Sequence, residues 1–172
     1  MNNENIIYLA GLIDGESYIG IKKTRSKHQV SMLYQERIQI RMVDPQGLDL
    51  MKEVFGGSYY QEKPHSDKGR PLYCYQASDK QAAKILTAVL PYLRIKRKVA
   101  ETVLEFHRLR HYALDNFPSR PNRTTRQAYT RPASINNQME VLYNKVKDLI
   151  HHREGGDANG EAILSGQSLL TL

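Results

Sequence analysis

The sequence predicts an α+β fold in which one antiparallel sheet is backed by helices, in the order helix, two strands, helix, two strands, helix, with further helices appended. Three observations predict it. An almost continuous apolar segment from Asn5 to Asp14 reads as a helix buried on most sides. Two pairs of segments with period-two alternation follow, each pair joined by a polar loop, which is the pattern of hairpins. Between and after these pairs stand amphipathic segments with recognisable helix starts and stops.

Taken in order, the first helix carries Ala10 and Gly11, which leave one side thin enough for another backbone to approach closely. Tyr18 to Thr24 and Ser31 to Met42 form the first strand pair, joined by the basic loop Arg25-Ser26-Lys27-His28. In the second of these strands Gln35, Arg37, Gln39 and Arg41 alternate with Glu36, Ile38 and Ile40, which gives one polar face and one mostly apolar face. Asp44 as N-cap and Pro45 at the first helical position start the next helix, and Gly56-Gly57 stop it. Its apolar side is Leu48, Leu50, Met51, Val54 and Phe55. Ser58 to Lys63 and Leu72 to Ala77 pair around the loop from Pro64 to Pro71. Ser78 caps a helix to about Leu90, Pro91 interrupts it, and a longer helix runs from about Arg94 to Leu114. Asn116 to Pro132 reads as an extended basic arm, Ser134 caps a last helix to about His151, and the Gly-rich tail beyond Glu154 is expected to be disordered. The predicted organisation is a core domain over 1–114, a basic arm and C-terminal helix over 115–153, and a tail over 154–172.

At 172 residues there is room for one domain with a substantial core. No apolar run reaches the roughly 18 residues that cross a bilayer, and the first one lacks the basic start of a secretory signal, so an intracellular protein with no membrane partner is expected. Cys74 is the only cysteine, which excludes an internal disulfide and a cysteine zinc cluster. No Gly-rich phosphate loop is present, which argues against NTP hydrolysis. The net charge of +7 points to a polyanionic partner. Between Arg94 and Arg131 ten Lys or Arg face three acids, so this window alone matches the whole excess and reads as a phosphate-tracking surface.

Leu9-Ala10-Gly11-Leu12-Ile13-Asp14-Gly15-Glu16 places two carboxylates at the negative end of a helix dipole. That disfavours them by a few tenths to about 1 kcal/mol unless a cation sits nearby, so the segment asks for a metal. These eight residues, followed by Ser17-Tyr18-Ile19-Gly20-Ile21, closely resemble the signature of the LAGLIDADG homing endonucleases, a family of metal-dependent DNA-cutting enzymes. The resemblance implies the αββαββα LAGLIDADG fold over roughly residues 5 to 110, with a saddle-shaped antiparallel sheet that straddles DNA. The motif occurs once, so it implies a homodimer whose motif helices pack side by side through Leu9, Ala10, Gly11, Ile13 and Asp14. It implies that Glu16 binds Mg²⁺, or Mn²⁺, beside the partner's copy, with the Gly15 carbonyl contributing, while Asp14 supports the helix end. Mg²⁺ takes few protein oxygens, so one carboxylate per protomer suffices when two converge. Lys96, in Leu90-Pro91-Tyr92-Leu93-Arg94-Ile95-Lys96-Arg97-Lys98, matches by position a family lysine that helps polarise the attacking water. Two departures stand out: Ser17 replaces a frequent Gly and is expected to strain the turn after the helix, and Met42 occupies a position that is often Gln or Asn.

A sheet face rich in Gln, Arg, Lys and Thr suits the major groove, where Arg reads guanine and Gln reads adenine. By alternation from Glu16 that face is expected to hold Tyr18, Lys22 and Thr24, then Gln35, Arg37, Gln39 and Arg41, then Gln61, Lys63 and Gln76, with Lys98 a further DNA contact. His107 and His111 stand at i, i+4 spacing, but no nearby acid or further His completes a metal set, so they read as helix surface. His151 and His152 suit a helix C-terminus. The function these residues predict is a site-specific, divalent-metal-dependent endonuclease acting on a long pseudo-palindromic site in double-stranded DNA, and supporting mobility of its host intron. The alternatives are a maturase that binds intron RNA, a catalytically silent DNA-binding protein using the same face, and a structural dimer module without nucleic acid.

Overall fold

The computed structural model describes residues 2–25, 32–63, 70–117 and 132–154. The elements are α1 (Asn3–Glu16), β1 (Ser17–Arg25), β2 (Met32–Met42), α2 (Gln46–Phe55), β3 (Tyr59–Glu62), β4 (Leu72–Ser78), α3 (Asp79–Val89), α4 (Arg97–Asn116) and α5 (Ala133–Glu154). A 3-10 turn, Leu90–Tyr92, lies between α3 and α4. The expected α+β order is borne out. Most of both hairpin loops, residues 118–131 of the expected basic arm, and the tail beyond Glu154 lie outside the described residues. Among the described residues no helix is long and apolar enough to cross a membrane.

The sheet order is β1-β2-β4-β3 and every neighbouring pair is antiparallel. Partners across an antiparallel pair share a face. Ile19, Ile38 and Ala77 therefore lie in one row, and Ile40 and Tyr75 in the next; all five are buried under the helices. Against them pack Leu9, Ala10 and Ile13 of α1, Leu48 and Met51 of α2, Ile85 and Leu86 of α3, and Val103 and Phe106 of α4. The helices form one layer, and the other sheet face carries the polar phase.

Local chemistry sets the element ends. Asn2 starts α1 by accepting the Glu4 amide at 3.1 Å. Pro45 is the N-cap of α2 rather than its first residue, while Asp44 still caps by accepting the Gln46 amide at 3.0 Å. The α2 stop depends on Gly56 and Gly57, whose φ values of 80° and 87° disfavour any side chain. Tyr75 donates its hydroxyl to the Gly56 carbonyl at 2.7 Å, and Gln81 donates to that of Phe55 at 2.6 Å. The α5 helix starts at Ala133, so Ser134 lies inside its first turn.

Helix α5 shares the core of the strands. Ile135, Met139, Leu142 and Val146 are buried in the common cluster, each contributing about 1.5–3 kcal/mol when fully buried. At the sheet edge the Lys23 ammonium donates to Glu140 at 2.6 and 2.7 Å, and Tyr34 adds its hydroxyl. Hydrogen bonding from Lys23 and then Tyr34 holds the Glu140 carboxyl below its ordinary value of 4.5. The stabilisation is therefore present above about pH 4.5 and disappears as pH falls through the lower folded value. Glu140→Gln should lower the thermal midpoint at pH 7, and the gap to wild type should close as the pH is lowered below 4.5, checked by melting both proteins across that range.

Candidate active site and nucleic-acid interface

The end of α1 meets the start of α4, and Asp14 joins them. Its Oδ2 accepts the Arg94 amide at 2.6 Å and the Ile95 amide at 3.0 Å, and its Oδ1 accepts the Lys96 amide at 2.8 Å. Burial would raise the Asp14 pKa, yet the amides of Arg94, Lys96 and Ile95, with the Lys96 ammonium, bring it below the ordinary carboxylate value. These groups sit just ahead of α4, so the positive end of that helix dipole offsets the negative end of α1. The charge of Asp14 is thus satisfied by backbone amides and a lysine, where the sequence suggested a metal for the pair of acids. The same contacts explain why α4 begins at Arg97 instead of near Arg94.

Lys96 reaches back to the end of α1, donating from Nζ to the Ile13 carbonyl at 2.9 Å and toward that of Gly15 at 3.4 Å. Ser17 is extended, with φ of −95° and ψ of 151°, and donates its hydroxyl to the Ile13 carbonyl at 2.6 Å. That backbone region suits any residue, so the strain expected at Ser17 is absent. Glu16 is exposed beside this knot of contacts. Gly15, Glu16, Tyr18, Ile95 and Lys96 line a cleft of about 570 Å³, which Val99 and Ile150 close on its apolar side. The two residues expected to be catalytic, Glu16 and Lys96, therefore share one cavity with the Gly15 carbonyl. Met42 does not face it: its Sδ would lie 3.2 Å from a Cβ on Gly47, which places Met42 against α2.

The register gathers most of the expected nucleic-acid contacts on the open face of the sheet. Tyr18 pairs with Gln39 and Gln39 with Gln76, Gly20 pairs with Arg37, Lys22 with Gln35, and Arg41 with Cys74. Thr24 extends the row along β1. The Tyr18 hydroxyl lies where a Cβ on Gly20 would be, at 2.3 Å, so the ring lies along the strand only because position 20 is glycine. Gln61 departs from expectation. It pairs with Tyr73, itself opposite Met42, which puts Gln61 on the helix-facing side; Tyr60 and Glu62 take the open face instead. Lys63, of the same phase as Gln61, lies exposed just beyond the strand. Lys98 borders a separate groove between α4 and α5 with Glu101, Glu105 and Lys145.

Helix α1 carries the expected dimer contacts, and three of them face inward. Leu9, Ala10 and Ile13 are completely buried in the protomer's own core, and Asp14 is engaged with α4. A second copy cannot reach them. Gly11 does reach the surface, on a stripe with Ile7, Tyr8 and Gly15, and nothing lies within 4 Å of a Cβ built on either glycine. The correction is one of helical phase, since the segment is apolar all round and sequence alone did not say which side the core takes.

A cluster that sequence reasoning missed lies beneath the sheet. Glu36, on the apolar phase of β2, is fully buried; His107 Nδ1 is 3.1 Å from its Oε1, and Arg110 Nη1 donates to its Oε2 at 3.1 Å. Arg110 also donates to Asp79 at 2.7 and 3.3 Å, and His111 Nε2 lies 3.0 Å from Asp79 Oδ1. The Arg110 contact is the largest cause that holds the Asp79 carboxyl at about 2. His107 and His111 are thus packed against two acids and are not plain helix surface. The signal was a Glu in the buried phase of a strand, which requires a cation from the covering helix. Part of the basic run is consumed in this way: Arg110 is paired here, and Arg97 with Glu101 at 3.3 Å.

Asp14→Asn removes the charge and presents an NH₂ group where amides point. It should cost about 1–3 kcal/mol of unfolding free energy in denaturant titration, the range for leaving buried donors unsatisfied.

Comparison with known proteins extends this picture. A model of the LAGLIDADG endonuclease family matches residues 9–109. DNA endonuclease I-CreI of Chlamydomonas reinhardtii is 32% identical over 111 residues, which are 60% of this chain and 63% of that protein. The chain therefore aligns with less than two thirds of that relative's length. The fold resembles that of the homing endonuclease I-CvuI, solved with the I-CreI target in the presence of 2 mM Mg, at a TM-score of 0.60 and 20% identity, covering 95% of this chain and 90% of that one. It also resembles the archaeal intron-encoded homing endonuclease I-Vdi141I, solved with DNA, at a TM-score of 0.65 and 12% identity over 86% and 84% of the two chains. The matched span runs from the motif helix through the open sheet to the helix that Lys96 introduces, and on that span the chain belongs to the LAGLIDADG endonuclease family.

Proposed function

We propose that this protein is a homodimeric, Mg²⁺-dependent endonuclease that cuts a long, pseudo-palindromic site in double-stranded DNA. The observation that carries the reading is the exposed Glu16 carboxylate in one cleft with Lys96, at the end of a helix whose open side bears Gly11 and Gly15. One carboxylate and one carbonyl are an incomplete oxygen set for Mg²⁺, and a second copy supplies the rest. Two α1 helices crossing at Gly11 and Gly15 approach closely because no side chain intervenes. Ile7 and Tyr8, 48% and 57% exposed, are then the apolar contacts of that crossing. The two Glu16 ends come together on the dyad, between two sheets that offer the same contacts in inverted order. A palindromic preference follows from that symmetry.

Each residue has a part. Glu16 and the Gly15 carbonyl would hold the divalent ion, which would supply an activated water and charge neutralisation at the phosphate. Lys96, fixed between the Ile13 and Gly15 carbonyls, places a positive charge next to the attacking water. Asp14 holds Lys96 at that place and stays out of the metal set, because its oxygens already accept three amides. Lys22, Thr24, Gln35, Arg37, Gln39, Arg41 and Gln76, with Tyr18 nearest the cleft, read base edges and backbone from the open face.

The test is to cut a randomised target library with wild type and Glu16→Gln, in Mg²⁺ and in Ca²⁺, and sequence the ends. Cuts at one near-palindromic site should require Mg²⁺ and fall by at least about 100-fold in Glu16→Gln, a loss of roughly 3 kcal/mol of charge stabilisation. Site-selective binding without cuts would make this a silent DNA-binding protein, and tighter binding to intron RNA than to any DNA site would make it a maturase. Gly11→Leu should turn the dimer into a monomer in sedimentation velocity. The isolated fold should gain up to about 1 kcal/mol from the better helix former, since a Cβ at this exposed position meets nothing within 4 Å in the protomer.

A further inference from the structure

Beneath the sheet, α4 brings His107 and His111 against Asp79 at the start of α3, and the three ligating atoms lie within 4.8 Å of one another. His107 is eleven residues along α4 from Lys96, roughly 16 Å of helix, so this cluster is remote from the Glu16 cleft. We propose that Asp79, His107 and His111 form a second metal site, one that takes a transition ion of the Zn²⁺ type rather than Mg²⁺.

The donor set decides the class of ion. Two imidazole nitrogens and one carboxylate oxygen suit Zn²⁺, Co²⁺ or Ni²⁺, whereas Mg²⁺ and Ca²⁺ prefer oxygen throughout. The spacing is close to what such an ion needs. His111 Nε2 and Asp79 Oδ1 are 3.0 Å apart. Two ligands in a tetrahedral shell with bonds of about 2.0 Å stand roughly 3.3 Å apart. Glu36 supplies the outer partner that metal-binding histidines commonly have. It is completely buried and lies 3.1 Å from His107 Nδ1, so a proton on Nδ1 donates to it and leaves the lone pair on Nε2. Asp79 and His111 keep side-chain exposures of 37% and 23%, which leaves an entry path and a fourth position for water.

Arg110 is the competitor. Its Nη1 holds Asp79 Oδ1 at 2.7 Å and Glu36 Oε2 at 3.1 Å. An ion taking Oδ1 leaves the guanidinium on Glu36 and on Asp79 Oδ2, now 3.3 Å from Nη2, so the buried acid never loses its cation. Glu36 lies on β2 between Gln35 and Arg37, two residues of the open face. A bound ion thus ties α3 and α4 together and, through His107 and Glu36, steadies the strand that carries those side chains.

Cobalt reports the site directly, because Co²⁺ in a tetrahedral nitrogen and oxygen shell absorbs far more strongly in the visible than the hexaaqua ion. Titration of the wild-type dimer with Co²⁺ should give one such band per chain, bleached by Zn²⁺. His107→Gln and His111→Gln should each weaken Co²⁺ binding by more than about tenfold, beyond the lower bound for losing an outer partner. Glu16→Gln should keep the band, which separates this site from the ion of the cleavage reaction. A wild-type spectrum that stays that of the free ion, or a band that survives in both histidine variants, would overturn the proposal and leave the cluster as an ion-pair network alone.

Discussion

A single carboxylate joins the two helix ends on which the site is built. Asp14 stands where the dipole of α1 is unfavourable to it and where that of α4 is favourable, and it accepts three consecutive backbone amides, from Arg94, Ile95 and Lys96. These contacts fix where α4 begins, turn the Lys96 side chain back on the carbonyls of α1, and leave Glu16, two residues on, at the surface of the cleft. The electrostatic cost of an acid at a helix C-terminus is thereby converted into the bond between the first and the last helices of the family-matched span. Tyr92 adds a second tie, donating to Asn3 at 2.7 Å at the other end of α1.

The sheet divides the remaining work by face. Its helix side is a mostly apolar surface, and where the fully buried Glu36 interrupts it the charge is compensated from α4 by His107 and Arg110. A fully buried carboxylate costs several kcal/mol unless such partners are present, so strand phase and the sequence of α4 are coupled at that point. The open side carries Lys22, Gln35, Arg37, Gln39, Arg41 and Gln76 in register across three strands. The two faces meet chemically in β2, where residues 35, 36 and 37 alternate between the open face and the buried ion network.

Much of this was legible in the sequence because the signals were local. Element order followed from period two against period 3.6, and the ends of α2 followed from Asp44 and Gly56-Gly57. The resemblance of residues 9–16 and of the segment ending at Lys98 singled out Glu16 and Lys96, which line one cleft. What was not legible depended on phase and distance. An apolar helix such as α1 does not state which side the core takes, so Leu9, Ala10 and Ile13 were assigned to a surface they do not reach. Strand β3 has four residues, too few for alternation to fix its face, and Gln61 fell on the wrong one. The acids that meet His107 and His111 lie 71 and 32 residues away in the chain, beyond any spacing rule. Asp14 was expected to support the helix end, but the amides that hold it belong to a segment some 80 residues on.

The junction at Asp14 is best tested by amide hydrogen exchange of the wild-type protein at neutral pH, resolved at Arg94, Ile95 and Lys96. These residues precede α4, and the Asp14 carboxylate accepts all three of their amides. Protection equal to that of the slowest core amides, lost only in global unfolding, is the result this account predicts. Exchange at the rate of an open loop would contradict it, and would detach Lys96 and the start of α4 from the helix that carries Glu16.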